Sequence, residues 1–344
     1  MDLPHAFDRL PLPLLVTGIT GVHGYNAFRF FRKCFPGRVI GVRPPQTFRL
    51  KGPGIVALDA DDVSGLAGLC REQGIRSILN CAGNCALKSC ELDPAMARRL
   101  NVASAAAIAF CVQTFGLKLV HVSSDLVFSG ACGRGGYVET DPVDPVTVYG
   151  KTMVEGEQVI QDATPDATIL RISLPMGPSF NRHAGAIDWI DSRFRADRPA
   201  TLYFDEVRSV TYCDDLNIVF AEFLSRDLPG LFHCGGPRPI TLYQIAQIVN
   251  RVGGYAPSLL HGCPRRDAGP MPPRAGNVSM NSGKLLQALG RQPFRHWPAE
   301  PALWPTDRNW HAQRHDGEAG GPQRIREQLY AAISEGAASL SAGR

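Results

Sequence analysis

The sequence lacks a long hydrophobic run. None of its 344 residues falls in a stretch of about 18 consecutive apolar side chains, the length that a membrane-crossing helix needs. The first 15 residues carry two aspartates and three prolines, unlike the basic and then apolar order of a secretion signal. We therefore expect a cytoplasmic protein with no membrane span.

A strong charge of one sign is also missing. Lysine and arginine together number 36 against 32 aspartates and glutamates, which leaves a formal net charge of +4. A nucleic-acid-binding protein would show clustered basic residues and aromatic side chains on which bases stack. Neither pattern occurs, and the excess of arginine over lysine is interpreted as genome composition. The sequence thus predicts no nucleic-acid partner.

Paired cysteines of the Cys-x-x-Cys type are absent as well. The ten cysteines are scattered, and the three that lie closest together, Cys81, Cys85 and Cys90, lack the spacing of a zinc site. Most of the others fall within predicted strands and helices, where cysteine behaves as a small hydrophobic residue. We predict reduced, mostly buried thiols and no metal site.

What the sequence does contain is an alternation of short apolar runs with amphipathic stretches. This pattern is typical of a parallel sheet flanked by helices. The predicted strands are 14–17, 38–42, 55–58, 77–81, 117–122 and 168–172, and the predicted helices are 25–35, 64–73, 93–115 and 146–160. Six strands with intervening helices predict an α/β fold with a doubly wound, parallel Rossmann-type sheet.

The alternation of predicted strands and helices gives way to a loop-rich sequence after the sixth predicted strand. Residues 12–175 form the predicted Rossmann domain, and the loop-rich residues 176–298 form a smaller C-terminal substrate-binding region. Within that region, a strand and a helix at 230–254 could pack back on the Rossmann domain. Residues 257–274, dense in proline, glycine and arginine, predict a surface loop. Residues 299–344 are predicted to be an extension with a disordered end.

Residues 17–24 read Thr-Gly-Ile-Thr-Gly-Val-His-Gly and lie between the first predicted strand and the first predicted helix. Glycines in this position let the backbone turn sharply and approach a pyrophosphate, which then sits at the positive end of the helix. The motif therefore predicts a dinucleotide site. The candidate cofactor contacts are Gly18, Thr20, Gly21, Val22, His23 and Gly24. A packing role is an equally good interpretation of His23.

The end of the second strand bears on which dinucleotide binds. An acidic residue there would bind the ribose 2′-hydroxyl, whereas an arginine suits a 2′-phosphate. The strand ends in Arg43 and has no acidic residue. NADPH is therefore favoured over NADH, unless Arg43 is an ordinary solvated strand-end arginine.

Three further stretches make the sequence similar to a known family. Residues 78–83 read ILNCAG, 121–128 read HVSSDLVF and 149–157 read YGKTMVEGE. With residues 91–101, they resemble the dTDP-4-dehydrorhamnose reductase family of extended short-chain dehydrogenases, which includes the regulatory β subunit of methionine adenosyltransferase. The resemblance covers roughly residues 12–295, with later matches at 205–216 and 273–285.

The resemblance implies NADPH-dependent reduction of a 4-keto group on a nucleotide-linked deoxyhexose. Tyr149 would give a proton to the keto oxygen, and Ser124, in place of the family's threonine, would donate a hydrogen bond to it. The resemblance also implies cofactor contacts at Asp59, Ala82, Gly83, Asn101 (at a helix kink) and Ser123, and substrate contacts at Asp125, Val127, Phe128 and Arg208. Asp59 is equally compatible with an ordinary turn and Arg208 with a surface position.

One residue departs from the family pattern. The family has a lysine four residues after the tyrosine, one helical turn on, where it binds the nicotinamide ribose and lowers the tyrosine pKa. This sequence has Met153 there, and Lys151 projects toward a different helical face. Because oxidation of an alcohol needs a base, we expect the absence of this lysine to impair oxidation most. Ketone reduction needs a neutral proton donor, which a tyrosine with a pKa of about 10 already is.

Three functional hypotheses follow. The first is the sugar-nucleotide reductase, compatible with a homodimer. The second is a catalytically weak, NAD(P)-binding protein that regulates or scaffolds a partner, as the β subunit does. Met153 favours the second, and the intact Ser124 and Tyr149 favour the first. The third is a sugar-nucleotide epimerase or dehydratase, which Met153 argues against because such chemistry begins with an oxidation.

Overall fold

A parallel sheet of seven strands organises the chain. The computed structural model describes residues 9–313 and 320–330. The strands in chain order are β1 (Leu14–Val16), β2 (Val39–Arg43), β3 (Ile55–Ala57), β4 (Ser77–Asn80), β5 (Lys118–Ser124), β6 (Thr168–Ile172), β7 (Pro175–Met176), β8 (Ala200–Tyr203), β9 (Val207–Arg208), β10 (Thr211–Tyr212), β11 (Gly230–Cys234), β12 (Ile240–Thr241) and β13 (Leu260–Cys263). The sheet consists of the first six and β11; the others form short two-stranded pairs.

The strands of the sheet lie in the spatial order β11-β6-β5-β4-β1-β2-β3, and each pairs in parallel with its neighbours. From β1 the chain adds β2 and β3 on one side, and it then adds β4, β5, β6 and β11 on the other side. This strand order is that of a doubly wound fold, so the predicted fold class is confirmed. The sequence predicts six of these strands in the Rossmann domain. The seventh, β11, joins the edge of β6 with Leu231 opposite Ile169. All the carboxyl ends meet at one edge, where ligands bind in such folds.

Helices cover both faces of the sheet. The α-helices in chain order are α1 (Val22–Cys34), α2 (Val63–Glu72), α3 (Leu87–Leu92), α4 (Pro94–Arg98), α5 (Ser104–Phe115), α6 (Val148–Ala163), α7 (Ala186–Arg195), α8 (Cys213–Ser225), α9 (Leu242–Gly253), α10 (Gly283–Leu289) and α11 (Pro322–Ile325). On one face, α1 and α8 bury Phe31 and Phe220. On the other, α2, α5 and α6 bury Leu66, Ile108 and Ile160.

The helical segment Pro94–Phe115 shows how local chemistry sets the bounds of a helix. It begins where Asp93 accepts a hydrogen bond from the Met96 N–H at 2.9 Å, and it ends at Gly116, which has a φ of +63°. A π-helical turn, Arg99–Ala103, interrupts it. By length and composition this one segment could cross a membrane, whereas the sequence predicts none. In the fold it packs against α2 and α6.

A second hydrophobic core is built from elements that follow β6. It contains α7, α9 and the parallel pair of β8 with β13. Because Leu260 pairs with Ala200 and both are buried, the predicted surface loop at 257–274 is wrong for the strand β13, whereas residues 264–274 form a loop with one 3₁₀ turn. Of the predicted strand and helix at 230–254, β11 extends the main sheet, whereas α9 packs against α7 in the second core.

The C-terminal extension belongs to this second core. Trp297 is 1% exposed, and its indole N–H donates to the Leu329 carbonyl at 3.0 Å. Leu303, Trp310, Ile325 and Leu329 are buried in the same cluster. The extension therefore supplies core side chains to the substrate-binding region. The disordered end predicted at 336–344 lies outside the described residues.

We expect Leu329→Ala to lower the free energy of unfolding by about 2–5 kcal/mol, because the fully buried side chain leaves a cavity. Glu327 is exposed in the same helical turn, and Glu327→Ala should change the free energy of unfolding by less than about 0.5 kcal/mol. Urea unfolding followed by tryptophan fluorescence measures both. An equally small effect for Leu329→Ala would contradict the placement of the extension in the core.

Candidate active site

The carboxyl ends of β1, β4, β5 and β6 form the floor of a cavity of about 500 Å³. The floor is lined by Gly18, Gly21, Val22, His23, Cys81, Ala82, Gly83, Cys85, Ser123, Ser124, Tyr149 and Met153. The roof, contributed by elements after β6, includes His183, Gly185, Trp189, Leu202, Tyr203, Glu206, Arg208, Leu242 and Arg274. A cavity at the carboxyl edge between two parts of the chain is the usual ligand site of this fold.

The glycine loop brings the start of α1 to the cavity. Gly18 has a φ of +63°, and a Cβ atom there would lie 2.1 Å from the Cys81 carbonyl oxygen, so only glycine fits. A Cβ atom on Gly24 would lie 2.3 Å from the Gly18 carbonyl oxygen. Gly21, the N-cap of α1, makes no side-chain cap, and its first-turn N–H groups can therefore bind an anion.

Buried polar side chains fix the glycine loop to the sheet. Thr17 Oγ1 donates to Asn80 Oδ1 at 2.6 Å and accepts from the Cys81 N–H at 3.1 Å. Asn80 Nδ2 donates to His121 Nδ1 at 2.8 Å. Burial lowers the pKa of His121 to about 4, against the opposing effect of the Glu157 charge, so the ring is neutral and accepts this bond. The network joins the ends of β1 and β4 to the middle of β5.

The predicted cofactor residues divide between the cavity wall and its surroundings. Gly18, Gly21, Val22, His23, Ala82, Gly83 and Ser123 line the cavity, whereas Thr20, Gly24, Arg43, Asp59 and Asn101 lie outside the lining. Burial lowers the pKa of His23 to about 4, so a neutral imidazole faces the space. The Ser123 hydroxyl points away from it and donates to Glu157 Oε1 at 2.5 Å. Arg171 holds the same carboxylate with bonds of 2.8 and 2.7 Å.

Asn101 lies on the π-helical turn, in agreement with the predicted helix kink. Its Oδ1 accepts from the Asn84 N–H at 2.7 Å, and its Nδ2 donates to Thr152 Oγ1 at 2.8 Å. A Cβ atom on Gly83 would lie 3.0 Å from the same Oδ1. Asn101 thus ties the loop after β4 to α6 and holds Gly83 at the cavity.

Arg43 makes hydrogen bonds to the loop that follows β2. Its Nε donates to the Leu50 carbonyl at 2.6 Å, and its Nη1 donates to the carbonyls of Pro44 and Pro45 at 3.0 and 3.1 Å. Two of the three guanidinium nitrogens, Nε and Nη1, therefore bind the protein itself. Asp59 accepts a backbone bond in the turn that precedes α2.

Ser124 and Tyr149 lie together on the cavity floor. Ser124 ends β5, its Oγ accepts from the Leu126 N–H at 3.1 Å, and its side chain interacts with the Tyr149 phenol. Tyr149 lies in the first turn of α6, which starts where Thr147 Oγ1 accepts from the Gly150 N–H at 3.0 Å. A strand end and a helix start thus position two hydroxyl groups at one point of the cavity.

Met153 follows Tyr149 by one turn of α6 and also lines the cavity. It is 6% exposed and packs in an apolar cluster that includes Leu126 and Val127. Lys151 is exposed, as expected from its position on another side of the helix. The surroundings of Tyr149 are therefore apolar where the family that the sequence resembles has a lysine.

Burial raises the pKa of Tyr149 above its ordinary value of about 10. Cys85 and Asp125 add to the rise, whereas the hydrogen bond with Ser124 and the charge of Arg208 oppose it. The phenol is therefore neutral throughout the physiological range of pH. In this form it can donate a proton, but it is a poor base.

Asp125 is fully buried and does not line the cavity. Its carboxylate accepts from Arg208 at 2.7 and 2.5 Å and from Ser173 Oγ at 2.5 Å. Val127 and Phe128 are fully buried behind the wall. The structure therefore places these three predicted substrate contacts behind the wall, in and directly after the 3₁₀ turn Asp125–Val127 that follows β5. Arg208 does line the cavity.

Two charged residues on the roof were missed by the sequence analysis. Glu206 is 2% exposed, and its Oε2 lies 2.9 Å from Arg274 Nε without the alignment of a hydrogen bond. The Arg274 guanidinium stacks over the Tyr203 ring, 4.5 Å from its centre. Burial raises the pKa of Glu206, and the charges of Arg274 and Arg208 oppose this. Both residues lie in stretches that match the family, but no periodicity marks either as a cavity residue.

The thiols and metal-binding groups add no further site. All ten cysteines are free, and six of them are buried. Among residues 9–313 and 320–330, no group of three histidine, cysteine, aspartate or glutamate side chains is arranged to hold a metal ion.

Comparisons with known proteins identify the family of the chain. The family model described as RmlD substrate binding domain matches residues 13–303. Methionine adenosyltransferase 2 subunit beta of Xenopus laevis is 26% identical over 306 residues, which are 86% of this chain and 89% of the relative. The dTDP-4-dehydrorhamnose reductase of Mycolicibacterium smegmatis is 26% identical over 225 residues, 64% of this chain and 67% of the relative.

A solved structure shares the fold. The crystal structure of dTDP-4-dehydrorhamnose reductase from Bacillus anthracis in complex with NADP has a TM-score of 0.66 and 20% sequence identity to this chain. The superposition covers 83% of this chain and 95% of that one. Together with the family match, it confirms the resemblance found in the sequence.

We expect the protein to lose stability between about pH 6.5 and pH 4, because His121 is buried in its neutral form. Its folded pKa of about 4 lies below the unfolded value of 6.5, so its contribution is complete above pH 6.5 and is lost as the pH falls toward 4. At pH 5 the loss is about 2 kcal/mol. Urea unfolding at pH 7.5 and pH 5 measures it. His121→Gln should weaken the pH dependence by this amount, and an unchanged dependence would contradict the assignment.

Proposed function

The chain belongs to the RmlD substrate binding domain family, and we propose that it uses NADPH to reduce a 4-keto group on a nucleotide-linked deoxyhexose. The observation that carries this proposal is the pair Ser124 and Tyr149 on the floor of a cavity that also contains the glycine loop. A proton donor, a second hydroxyl and an anion-binding helix start in one space are what dinucleotide-dependent ketone reduction requires.

The residues present fit a dinucleotide. The glycines of the loop keep side chains out of the space beside the start of α1, and Gly21 leaves the first-turn N–H groups uncapped. These groups would bind the pyrophosphate, and the neutral His23 would add a hydrogen bond. Arg43 keeps its third guanidinium nitrogen for a 2′-phosphate, which supports NADPH over NADH. The NADP complex of the Bacillus anthracis reductase also supports this choice.

When bound, the reduced nicotinamide supplies the hydride that reaches the keto carbon. Tyr149 gives its phenolic proton to the keto oxygen, so that its O–H bond breaks as the O–H bond of the alcohol forms. Ser124 accepts from the Leu126 N–H and donates to Asp125 Oδ1 over a long 3.3 Å, and its hydrogen would turn from Asp125 to the keto oxygen to orient the carbonyl. Solvent then returns a proton to Tyr149.

The raised pKa of Tyr149 makes the site better suited to reduction than to oxidation. Reduction uses the neutral phenol, which is the form that burial maintains. Oxidation of an alcohol would need the phenolate, and Met153 has no charge with which to stabilise it. Epimerisation and dehydration of a sugar nucleotide begin with oxidation, so the same argument disfavours them.

The roof supports a substrate that carries a diphosphate. Arg274 stacks on Tyr203 and pairs with Glu206 through Nε at 2.9 Å, and its two terminal guanidinium nitrogens are the ones that would contact a ligand oxygen. Arg208 binds Asp125 with two of its nitrogens. We therefore assign the first diphosphate contact to Arg274, with Arg208 as a second contact through its remaining nitrogen.

A second candidate function is regulation of a partner protein by a catalytically weak NAD(P)-binding chain. Two observations favour it: Met153 at the lysine position, and the match over 86% of this chain to methionine adenosyltransferase 2 subunit beta. The Ser124 and Tyr149 pair favours the reductase. Turnover of a sugar nucleotide decides between the two.

Gly21→Asp should weaken NADPH binding by about 100-fold or more, because the new carboxylate would lie where the pyrophosphate is proposed to bind. The fold should tolerate the change, since a Cβ atom on Gly21 would meet only the Gly18 carbonyl oxygen, at 3.6 Å. Fluorescence titration with NADPH measures the affinity. Gly21→Ser is the uncharged control and should lose far less. Unchanged affinity in Gly21→Asp would rule out the glycine loop as the cofactor site.

The purified protein should oxidise NADPH in the presence of at least one dTDP-4-keto-6-deoxyhexose. Tyr149→Phe removes the proton donor and should lower turnover by about 10²–10⁴-fold with NADPH affinity unchanged. The rate of the wild type should not fall between pH 7 and pH 9, because the raised pKa keeps the phenol protonated. If a panel of such sugars gives turnover with Met153→Lys but none with the natural chain, the protein is a binder and not a reductase.

A further inference from the structure

Residues 177–186, the cavity loop, connect the cofactor side of the cavity to its roof. On one side, Asn26 of α1 donates from Nδ2 to the Pro178 carbonyl at 2.9 Å. On the other, His183 and Gly185 line the cavity just before α7 begins. The position of this loop therefore sets the space between the anion-binding start of α1 and the second core.

Ser179 holds the cavity loop in shape from within. Its Oγ accepts from the N–H groups of His183 and Ala184 at 3.1 and 3.2 Å. Between Ser179 and His183, Arg182 has a φ of +52°, a conformation that a residue with a side chain keeps only where its surroundings hold it. The loop conformation therefore depends on what anchors Ser179.

The anchor of Ser179 is a buried carboxylate that is shared with the C-terminal extension. Asp188, 3% exposed in the first turn of α7, accepts through Oδ2 from the Ser179 N–H at 2.8 Å and from its hydroxyl. Its Oδ1 accepts from the Tyr330 hydroxyl. Burial and the charge of Asp188 raise the pKa of Tyr330, so the phenol keeps the proton that it donates.

Tyr330 lies in the helical turn Arg326–Tyr330, beyond residue 303, where the family match ends. Neighbouring Leu329 is fully buried in the second core, so the turn that carries Tyr330 is fixed in place. A segment outside the family match thus contacts, through one carboxylate, a loop that lines the proposed cofactor site.

We propose that Tyr330 is a positioning residue for this site: through Asp188 and Ser179 it holds the cavity loop in the conformation that closes over a bound dinucleotide. The inference rests on the proposed function for the identity of the ligand. It adds a contribution of the C-terminal extension to cofactor binding. Removing the Tyr330 hydroxyl leaves the carboxylate bound from one side only, and the cavity loop is then free to open more often.

The same helix offers a matched control. The Tyr255 hydroxyl donates to Asp191 Oδ1, one turn after Asp188 on α7, and the other oxygen of Asp191 pairs with Arg195 at 2.9 Å. Tyr255→Phe and Tyr330→Phe each remove one phenolic hydroxyl from a buried aspartate of α7. Only the second removes a bond from the carboxylate that holds Ser179.

Two measurements test the proposal on the full chain. The first is NADPH affinity by fluorescence titration, which Tyr330→Phe should weaken by about tenfold, as expected for the loss of a hydrogen bond to a charged group. The second is the rate of tryptic cleavage after the exposed Arg182 without ligand, which Tyr330→Phe should raise about tenfold as the loop opens. Tyr255→Phe should leave both within about twofold of the wild type.

Ser179→Ala supplies a second route to the same result. It should reproduce both effects, and the double variant with Tyr330→Phe should show less than the sum, because both residues act through Asp188. Equal changes in Tyr330→Phe and Tyr255→Phe, or no change in cleavage after Arg182, would overturn the proposal. Cleavage needs no cofactor, so it still decides the role of Tyr330 if the wild type fails to bind NADPH and the proposed function fails.

Discussion

The approach of Gly18 to the carbonyl of Cys81 is the constraint on which the rest of the site depends. No side chain fits between these two pieces of backbone, so the start of α1 is held against the end of β4. The bonds from Thr17 to Asn80 and from Asn80 to His121 extend that contact to β5. Because β5 ends in Ser124, the sheet itself sets the distance between the start of α1 and the hydroxyl groups proposed to act on the substrate, which is what reactions that depend on orientation require.

The chemistry of the site follows from burial more than from any single charge. Tyr149 keeps its proton because it is removed from water, and Met153 continues the apolar surroundings along the same face of α6. The charged groups nearby are already paired: Asp125 with Arg208, and Glu157 with Arg171. Such buried pairs contribute little net stability, but they fix geometry, since either partner alone would be a costly buried charge. With Met153 at the position of the family's lysine, the surroundings of Tyr149 thus favour the protonated form of its phenol.

The sequence predicts the parts of this molecule that depend on local pattern. The six strands and the loop at Gly18 follow from short apolar runs and glycine spacing, and β6 has the predicted bounds of 168–172. The burial of Asp125 behind the cavity wall could not be predicted, because a motif gives the order of residues but not the direction in which a turn sends each side chain. Arg274 was missed as a cavity residue because its position depends on packing between distant segments. The same holds for Leu329, because the helical segment that contains it is too short for its apolar pattern to identify the residues against which it packs.

The path of the chain has a consequence for how the molecule can be divided. After entering the second core with α7, the chain returns to cover the main sheet with α8 and to complete it with β11, then leaves again with α9. A fragment that ends at residue 175 would therefore expose the hydrogen-bonding edge of β6 along with the apolar face that α8 covers. Unpaired edges of this kind recruit strands from other molecules. The predicted boundary at residue 175 therefore separates two stretches of the chain that both contribute to the main sheet and its cover.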